Sequence, residues 1–276
     1  MTYVIDDSNI HEHLPTADGE FHGENGGEVR YAGHVPRDWS KQPYGSIGAE
    51  GYTVTMTDQE ILDGIRSQEV NESSPWHVWR RSKIGVLDQN GLSYCHAFSA
   101  TDGVMIQREI QGLPYVELSA GSVGGPVTGY RNAGAMISDD MDQVVKYGVA
   151  STEFVPMRQV SKNGWKQGAE ANALLHRATK YFEHRSNDSR SAIIATLQGK
   201  CVCVGYDWWS HAVTIVRWCI VPLSQATIVI NGIGLAPVIL NSWGPGYGDQ
   251  GCAIIAGSRG VPNEAYHYDQ IFASAA

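Results

Sequence analysis

Cys95, His211 and Asn241 are the residues of this sequence whose types and surroundings suit nucleophilic chemistry. Cys95 lies in the run QNGLSYCHAFSA at positions 89–100, His211 in SHAV and Asn241 in NSWG. A thiol attacks a carbonyl as its thiolate, which a helix N-terminus and a nearby imidazolium both favour. An amide side chain can hold an imidazole in the tautomer that accepts the thiol proton. The three residues therefore predict attack on a carbonyl by a cysteine–histidine pair.

Gln89, six residues before Cys95, supplies a further group that such a reaction needs. The oxygen of an attacked carbonyl becomes negatively charged and requires preplaced hydrogen-bond donors. The Gln89 side-chain amide and the backbone N–H of Cys95 can provide two of them. The sequence therefore contains candidates for nucleophile, base, orienting group and oxyanion donor.

These motifs resemble those of the papain-like (C1-type) cysteine peptidases. The resemblance extends over about residues 76 to 270 and includes several segments between the motifs. Those segments are WRRSKIGVLDQNG at 79–91, NAGA at 132–135, QGKCVCV at 198–204, PVILNSWG at 237–244 and GDQG at 248–251. The family resemblance implies that Cys95 is the nucleophile, His211 the general base and acid, Asn241 the residue that orients His211, and Gln89 an oxyanion donor.

The resemblance also implies a substrate cleft. Its residues would be Gly134, Ala135, Met136, Ile137, Trp209, Ala212 and Trp243. Gly134 and Ala135 would offer backbone for pairing with an extended peptide, and Trp243 would shield the His–Asn pair from water. By the resemblance, Met136, Ile137, Trp209 and Ala212 would form the main side-chain pocket, and all four are apolar. We therefore expect an apolar or aromatic preference for the substrate residue next but one before the scissile bond.

The sequence departs from the family pattern at three places. His96 stands where a tryptophan usually follows the nucleophile, Leu92 replaces a cysteine that is usually in a disulfide, and Tyr247 replaces an indole. We interpret His96 as a wall residue in preference to a second base. None of the three changes removes a catalytic group.

Periodicity predicts an α+β protein, with helices first and strands later. The resemblance implies a papain-like two-lobed fold, with a helical lobe at about 75–158 and an antiparallel, barrel-like β lobe at about 159–276. Residues 1–74 would form an N-terminal extension before the catalytic domain at 75–276. Thr57 to Glu60 reads as a capping box at the start of a helix.

Further elements follow from local patterns. We expect helices at 95–111, 136–147, 171–182 and 189–197, a flexible loop at 121–125, and strands around 202–204, 212–216, 227–230 and 238–240. For the extension, a structural segment packed on the surface is the favoured interpretation. Occlusion of the cleft and binding of a protein partner through residues 1–74 stay open.

Composition limits the class of protein. The 276 residues carry a net charge of −9, which argues against nucleic acid and anionic membranes as main partners. The N-terminus lacks the pattern of a signal peptide, and the five cysteines lack a disulfide spacing, so we expect a reducing, cytoplasmic location or a place within a particle. We expect no cofactor and no metal.

Three functions are compatible with the residues. The first is a peptidase that hydrolyses peptide bonds of a peptide or protein substrate through a thioester. The second is a papain-fold amidase that acts on peptidoglycan or isopeptide bonds. The third is a non-catalytic assembly component, such as a virion protein. The complete set of Cys95, His211, Asn241 and Gln89 favours the first.

Overall fold

A computed structural model describes residues 3–22 and 29–272. Its helices are α1 (Asp58–Val70), α2 (Pro75–Arg81), α3 (Cys95–Ile110), α4 (Gly121–Val127), α5 (Ile137–Tyr147), α6 (Ala169–Leu174) and α7 (Ser189–Leu197). Its strands are β1 (Val4–Ile5), β2 (Glu20–His22), β3 (Val29–Tyr31), β4 (Glu50–Gly51), β5 (Tyr181–Glu183), β6 (Val202–Tyr206), β7 (His211–Val221), β8 (Ile228–Ile230), β9 (Ile233–Leu240), β10 (Cys252–Ile255) and β11 (Glu264–Tyr268).

The main sheet has the order β1-β10-β9-β7-β6-β11-β5-β4, and β8 pairs with β9. Most of its pairs are antiparallel, while β1 and β4 join its two ends as parallel strands. The helices and this sheet confirm the α+β expectation. Within the described ranges, however, the sheet stays open and does not close into a barrel.

The central strands separate two hydrophobic clusters because successive side chains of a strand point to opposite faces. Along β7, Ala212 and Val216 enter the cluster that contains α3, whereas Val213 and Ile215 enter the cluster that contains residues of α1 and α7. Since both faces are covered, β7 is apolar along most of its length. This packing fixes α3, which begins at Cys95, against the strand that begins at His211.

The N-terminal extension is built into the sheet. β1 pairs with β10 and β4 pairs with β5, so the chain is anchored on both sides of the segment 29–37. α1 adds a third anchor because Ile61, Leu62 and Ile65 are buried in the cluster that includes α7. Residues 29–37 are thereby held across the face of the molecule where α3 and β7 begin.

Several predicted elements are confirmed. The structure has helices at Cys95–Ile110, Ile137–Tyr147 and Ser189–Leu197, and strands at each of the four predicted places. The Thr57 capping box is also present: the Thr57 side chain accepts from the Glu60 backbone, and the Glu60 carboxylate accepts from the Thr57 backbone.

Two predictions are wrong. The expected loop at 121–125 is the start of α4, where Gly121, Ser122 and Val123 are buried and Ser122 Oγ donates to Ser119 O. The expected helix 171–182 ends at Leu174, and Tyr181–Glu183 pairs with β11. In both cases tertiary packing decides the local structure against the local sequence signal. No helix in the described ranges combines the length and the apolarity that crossing a bilayer requires.

Replacement of Thr57 by alanine removes the N-cap of α1. We expect Thr57→Ala to lower the free energy of unfolding by about 1 kcal/mol, since the first-turn N–H groups lose an acceptor. Urea denaturation followed by circular dichroism measures this change. The control is Thr55→Ala, at an exposed site before the helix. Equal stability of the Thr57 variant and the wild type would contradict the capping role.

Candidate active site

Cys95 is the first residue of α3, and its side chain is fully buried. Burial raises the pKa of the thiol to about 12, although backbone N–H groups of Ala212, His96 and Gly33 act in the opposite direction. The His96 N–H belongs to the first turn of α3, so the helix N-terminus does face the sulfur. The Ala212 N–H places the sulfur beside the residue that follows His211. The structure therefore brings the thiol and the β7 terminus together.

His211 and Asn241 form the second half of the site. His211 Nε2 lies 2.8 Å from Asn241 Oδ1. The Ser242 backbone N–H donates to the same Asn241 atom at 2.8 Å, which identifies that atom as the oxygen. Nε2 must then carry the proton that it donates, so Nδ1 is left as the acceptor. Nδ1 is buried and has no hydrogen-bond partner in the part of the chain that the structure describes.

Aromatic rings surround the His211 imidazole. The Trp243 ring lies 4.7 Å from it between centroids, and the Trp209 ring lies 4.8 Å from it. Burial lowers the pKa of His211 to about 3, although the hydrogen bond with Asn241 acts in the opposite direction. The imidazole is therefore neutral at pH 7 in this state of the protein.

Gln89 is held by its neighbours in a single orientation. Its backbone N–H donates to Ser242 O, and its Oε1 accepts from Ser242 Oγ at 2.7 Å. Its Nε2 donates to Leu92 O at 2.6 Å and to Tyr31 O at 3.3 Å. The side-chain amide is fixed to the loop that precedes Cys95 and presents an N–H group to a backbone carbonyl of the extension.

The side chain of His96 takes no part in this arrangement. Its Nδ1 lies 2.7 Å from Asp140 Oδ2 on α5, and both side chains are fully buried. Burial raises the pKa of Asp140, while the neighbouring His96 acts in the opposite direction. The contact ties α3 to α5, which agrees with the interpretation of His96 as a wall residue.

A strand of the extension lies in the cleft. Gly33 and His34 donate their backbone N–H groups to Ser210 O at 3.3 and 3.1 Å, and Val35 donates to Ala135 O at 3.1 Å. Ala135 in turn donates to Gly33 O at 3.0 Å, and His34 and Ala135 form a parallel bridge. The backbone of the extension therefore occupies the edge at which the sequence places a substrate.

Gly33 is the residue of this strand that contacts the thiol. A Cβ added to Gly33 would lie 3.0 Å from Cys95 Sγ and would overlap the carbonyl group of Ser93. Position 33 therefore accommodates only glycine, which has no Cβ. Further along, Arg30 Nη2 donates to Trp243 O at 2.8 Å, and the Phe21 ring packs 5.9 Å from His211. The extension thus covers both the sulfur and the imidazole.

The predicted cleft residues divide into two groups. Gly134 and Ala135 line the path of the extension, since a Cβ at Gly134 would lie 2.6 Å from Gly33 O. Met136 is half-buried at the start of α5, whereas Ile137 and Trp209 are fully buried in the two cores. Ala212 reaches the site through its backbone, and the Trp243 ring packs on the His211 ring.

Sequence reasoning missed the residues that hold the extension in the cleft. These are Gly33, His34, Gly205, Asp207 and Glu264. Asp207 lies four residues before His211, but nothing in the sequence links it to His34. The glycine at position 33 is a signal of close backbone packing. The residues it packs against, Ser93 and Cys95, lie about sixty positions further along the chain, so the sequence alone does not identify them.

Solved structures of papain-like cysteine proteases are similar to this fold. A recombinant stem bromelain precursor aligns with a TM-score of 0.59 at 16% identity, over 86% of this chain and 83% of that one. Digestive procathepsin L 3 of Tenebrio molitor gives 0.56 at 20% identity, over 69% and 68%. Xylellain of Xylella fastidiosa gives 0.57 at 12% identity, over 87% and 96%.

These likenesses confirm the papain-like fold. No protein-family model and no curated protein sequence matches the chain. At such identities the fold is common to these proteins, while the chemistry of this chain has to be argued from its own residues.

Replacement of Gly33 by valine should open the cleft. The wild-type thiol has a raised pKa, so it is protonated at pH 7 and should react slowly with iodoacetamide until the pH is strongly alkaline. In Gly33→Val the added side chain displaces the strand, and the pKa falls toward the value of an exposed thiol. A fall of two units multiplies the thiolate fraction by about 100. Peptide mass spectrometry at pH 7 measures the labelling rate of Cys95.

The matched control is Gly85→Val, at an exposed glycine whose added Cβ would meet no atom within 4 Å. This variant should label Cys95 at the wild-type rate. Rapid labelling of Cys95 in the wild type at pH 7 would contradict the closed arrangement.

Proposed function

We propose that this chain is a latent cysteine peptidase, closed by its own residues 29–37. The observation that carries the proposal is the assembly of Cys95, His211, Asn241 and Gln89 directly beneath a peptide strand of the extension. A cleft that binds an extended backbone through Ala135 and Ser210 offers the contacts that a peptide substrate needs.

Opening of the cleft would start the chemistry. With water admitted and the strand gone, burial would no longer oppose charge on either group, and the Cys95 proton would pass to His211 Nδ1. The thiolate would attack the carbonyl carbon of the scissile peptide bond, forming a tetrahedral intermediate. Its oxyanion would accept hydrogen bonds from Gln89 Nε2 and the Cys95 backbone N–H. His211 would return the proton to the leaving amine as the C–N bond breaks.

The second half of the reaction uses the same groups. The product of the first half is a thioester on Cys95. A water molecule would attack the thioester carbonyl carbon while His211 Nδ1 takes a proton from that water. The C–S bond would then break, the Cys95 sulfur would receive the proton from His211, and the acid product would leave. Asn241 Oδ1 would hold the ring throughout because its hydrogen bond is to Nε2, the nitrogen that does not exchange protons with the substrate.

The extension resists its own cleavage through its placement. Gly33 is the residue against the sulfur, whereas the carbonyl on the Gln89 amide is that of Tyr31. The carbonyl at the oxyanion donor and the residue at the nucleophile thus belong to different parts of the strand.

A non-catalytic role is the second candidate, since a fully buried Cys95 also suits a protein whose cleft never opens. In that case Gly33→Val would label faster at Cys95 but would hydrolyse no peptide. The two candidates therefore differ in the measured hydrolysis, and the labelling rate alone does not separate them.

Substitutions in the Gly33→Val background test the assigned roles. Cys95→Ala and His211→Ala should each lower the rate of peptide hydrolysis by several orders of magnitude, because the two groups act as a unit. Gln89→Ala should cost about 100-fold, which is typical for one oxyanion donor. Asn241→Ala should cost less than His211→Ala, since it only orients the ring. A fluorogenic peptide assay measures all four.

The control for this series is His96→Asn, which alters a histidine next to the nucleophile that bonds to Asp140. Its hydrolysis rate, corrected for the folded fraction, should stay within about tenfold of the parent. Undiminished hydrolysis after Cys95→Ala would refute the proposed function.

A further inference from the structure

His34 occupies a buried pocket between two carboxylates. Its Nε2 lies 3.1 Å from Asp207 Oδ1 and 3.5 Å from Glu264 Oε1, and the side chains of His34 and Glu264 are fully buried. The wall of the pocket contains Gly205, where an added Cβ would lie 2.6 Å from His34 Nε2. The pocket is therefore acidic, and the missing side chain at Gly205 gives it depth.

Glu264 is also the point at which a second basic residue of the extension approaches. Glu264 Oε1 accepts the Arg37 backbone N–H at 3.1 Å, and Glu264 Oε2 accepts from Tyr266 Oη at 2.9 Å. The Arg37 guanidinium forms a buried ion pair with Glu183. The basic residues His34 and Arg37 of the extension thus lie against three acidic side chains. Glu264 is the one that contacts both of them.

Departure of the strand would remove His34 from both carboxylates and the Arg37 N–H from Glu264, while Tyr266 Oη would stay on Glu264 Oε2. A buried carboxylate that loses its hydrogen-bonded partner pays a large desolvation cost, which a new cationic group can offset. An apolar side chain in the same place would offset none of it. The vacated pocket is thus selective for positive charge.

We infer, on the basis of the proposed function, that this pocket binds an arginine or lysine side chain of the peptide substrate. The position follows from the extension itself. Gly33 contacts the nucleophile, and the adjacent His34 fills the pocket while its backbone bonds to Ser210 and bridges Ala135. The extension pairs with Ala135 in parallel, so its pocket residue follows the residue at the nucleophile. A substrate that runs in the opposite direction on the same edge, in the slightly more stable antiparallel pairing, places in the pocket the residue immediately before the one whose carbonyl Cys95 attacks.

This assignment replaces the apolar preference expected from the sequence. That expectation used Met136, Ile137, Trp209 and Ala212 as pocket walls. Ile137 and Trp209 are fully buried in the two cores, and Trp209 packs its ring on His211 and Trp243. The charged residues Asp207 and Glu264, which lie against His34, are therefore the specificity-determining pair.

The test uses the full-length Gly33→Val protein and three fluorogenic peptides, acetyl-Ala-Xaa-Gly-aminomethylcoumarin with Xaa as Arg, Leu or Glu. We expect kcat/KM for the Arg peptide to exceed that for the Leu peptide by about tenfold or more, as for a charge-assisted contact in a desolvated pocket. The Glu peptide should be the poorest of the three.

Two pocket variants and one control identify the residues responsible. Glu264→Gln should bring the Arg-to-Leu ratio near one. Asp207→Asn, at a side chain that is 41% exposed, should also lower the ratio. The matched control Glu153→Gln, at an exposed carboxylate of the helical part, should leave the ratio unchanged.

A preference for Leu in the parent would overturn the inference, and so would a ratio that neither pocket variant changes. Absence of cleavage for all three peptides, with no mechanism-based labelling of Cys95, would instead refute the proposed function and the inference with it.

Discussion

The closed state depends on one contact. At Gly33, a backbone without a side chain passes between Ser93 and Gly134. On one side a Cβ at position 33 would overlap Ser93, and on the other a Cβ at Gly134 would lie 2.6 Å from Gly33 O. Gly33 thus lies directly against Gly134 on the edge of the cleft. Their close approach lets the extension pair with Ala135 while it covers the sulfur. Any side chain at either position would separate these backbones.

This contact also sets the charge state of the site. Under the strand, burial raises the pKa of Cys95 to about 12 and lowers that of His211 to about 3, so both groups are neutral at pH 7. The thiolate and the imidazolium are therefore both disfavoured while the cleft is closed. Entry of water favours both charged forms at once, and their mutual attraction adds to the effect. Burial under the extension thus keeps both Cys95 and His211 in their neutral forms.

The positions of the candidate site residues within their helix and strands could be predicted from the sequence because the signals are local. Cys95 opens a helix, His211 opens a strand, and Asn241 follows a strand, so each residue carries its own context. The path of the extension could not be predicted in this way. The contact of His34 with Glu264 spans more than two hundred residues and leaves no periodic trace. The same reason explains the errors at 121–125 and 171–182, where burial against distant elements decided the structure.

Amide hydrogen exchange of the wild-type protein, resolved residue by residue with NMR, tests the closed cleft most directly. The account predicts that the amides of His34, Val35 and Ala135 exchange much more slowly than in an unstructured peptide, since each donates to a backbone carbonyl within the cleft. Exchange of these three amides at unstructured-peptide rates, in a protein whose β7 amides remain protected, would contradict the account.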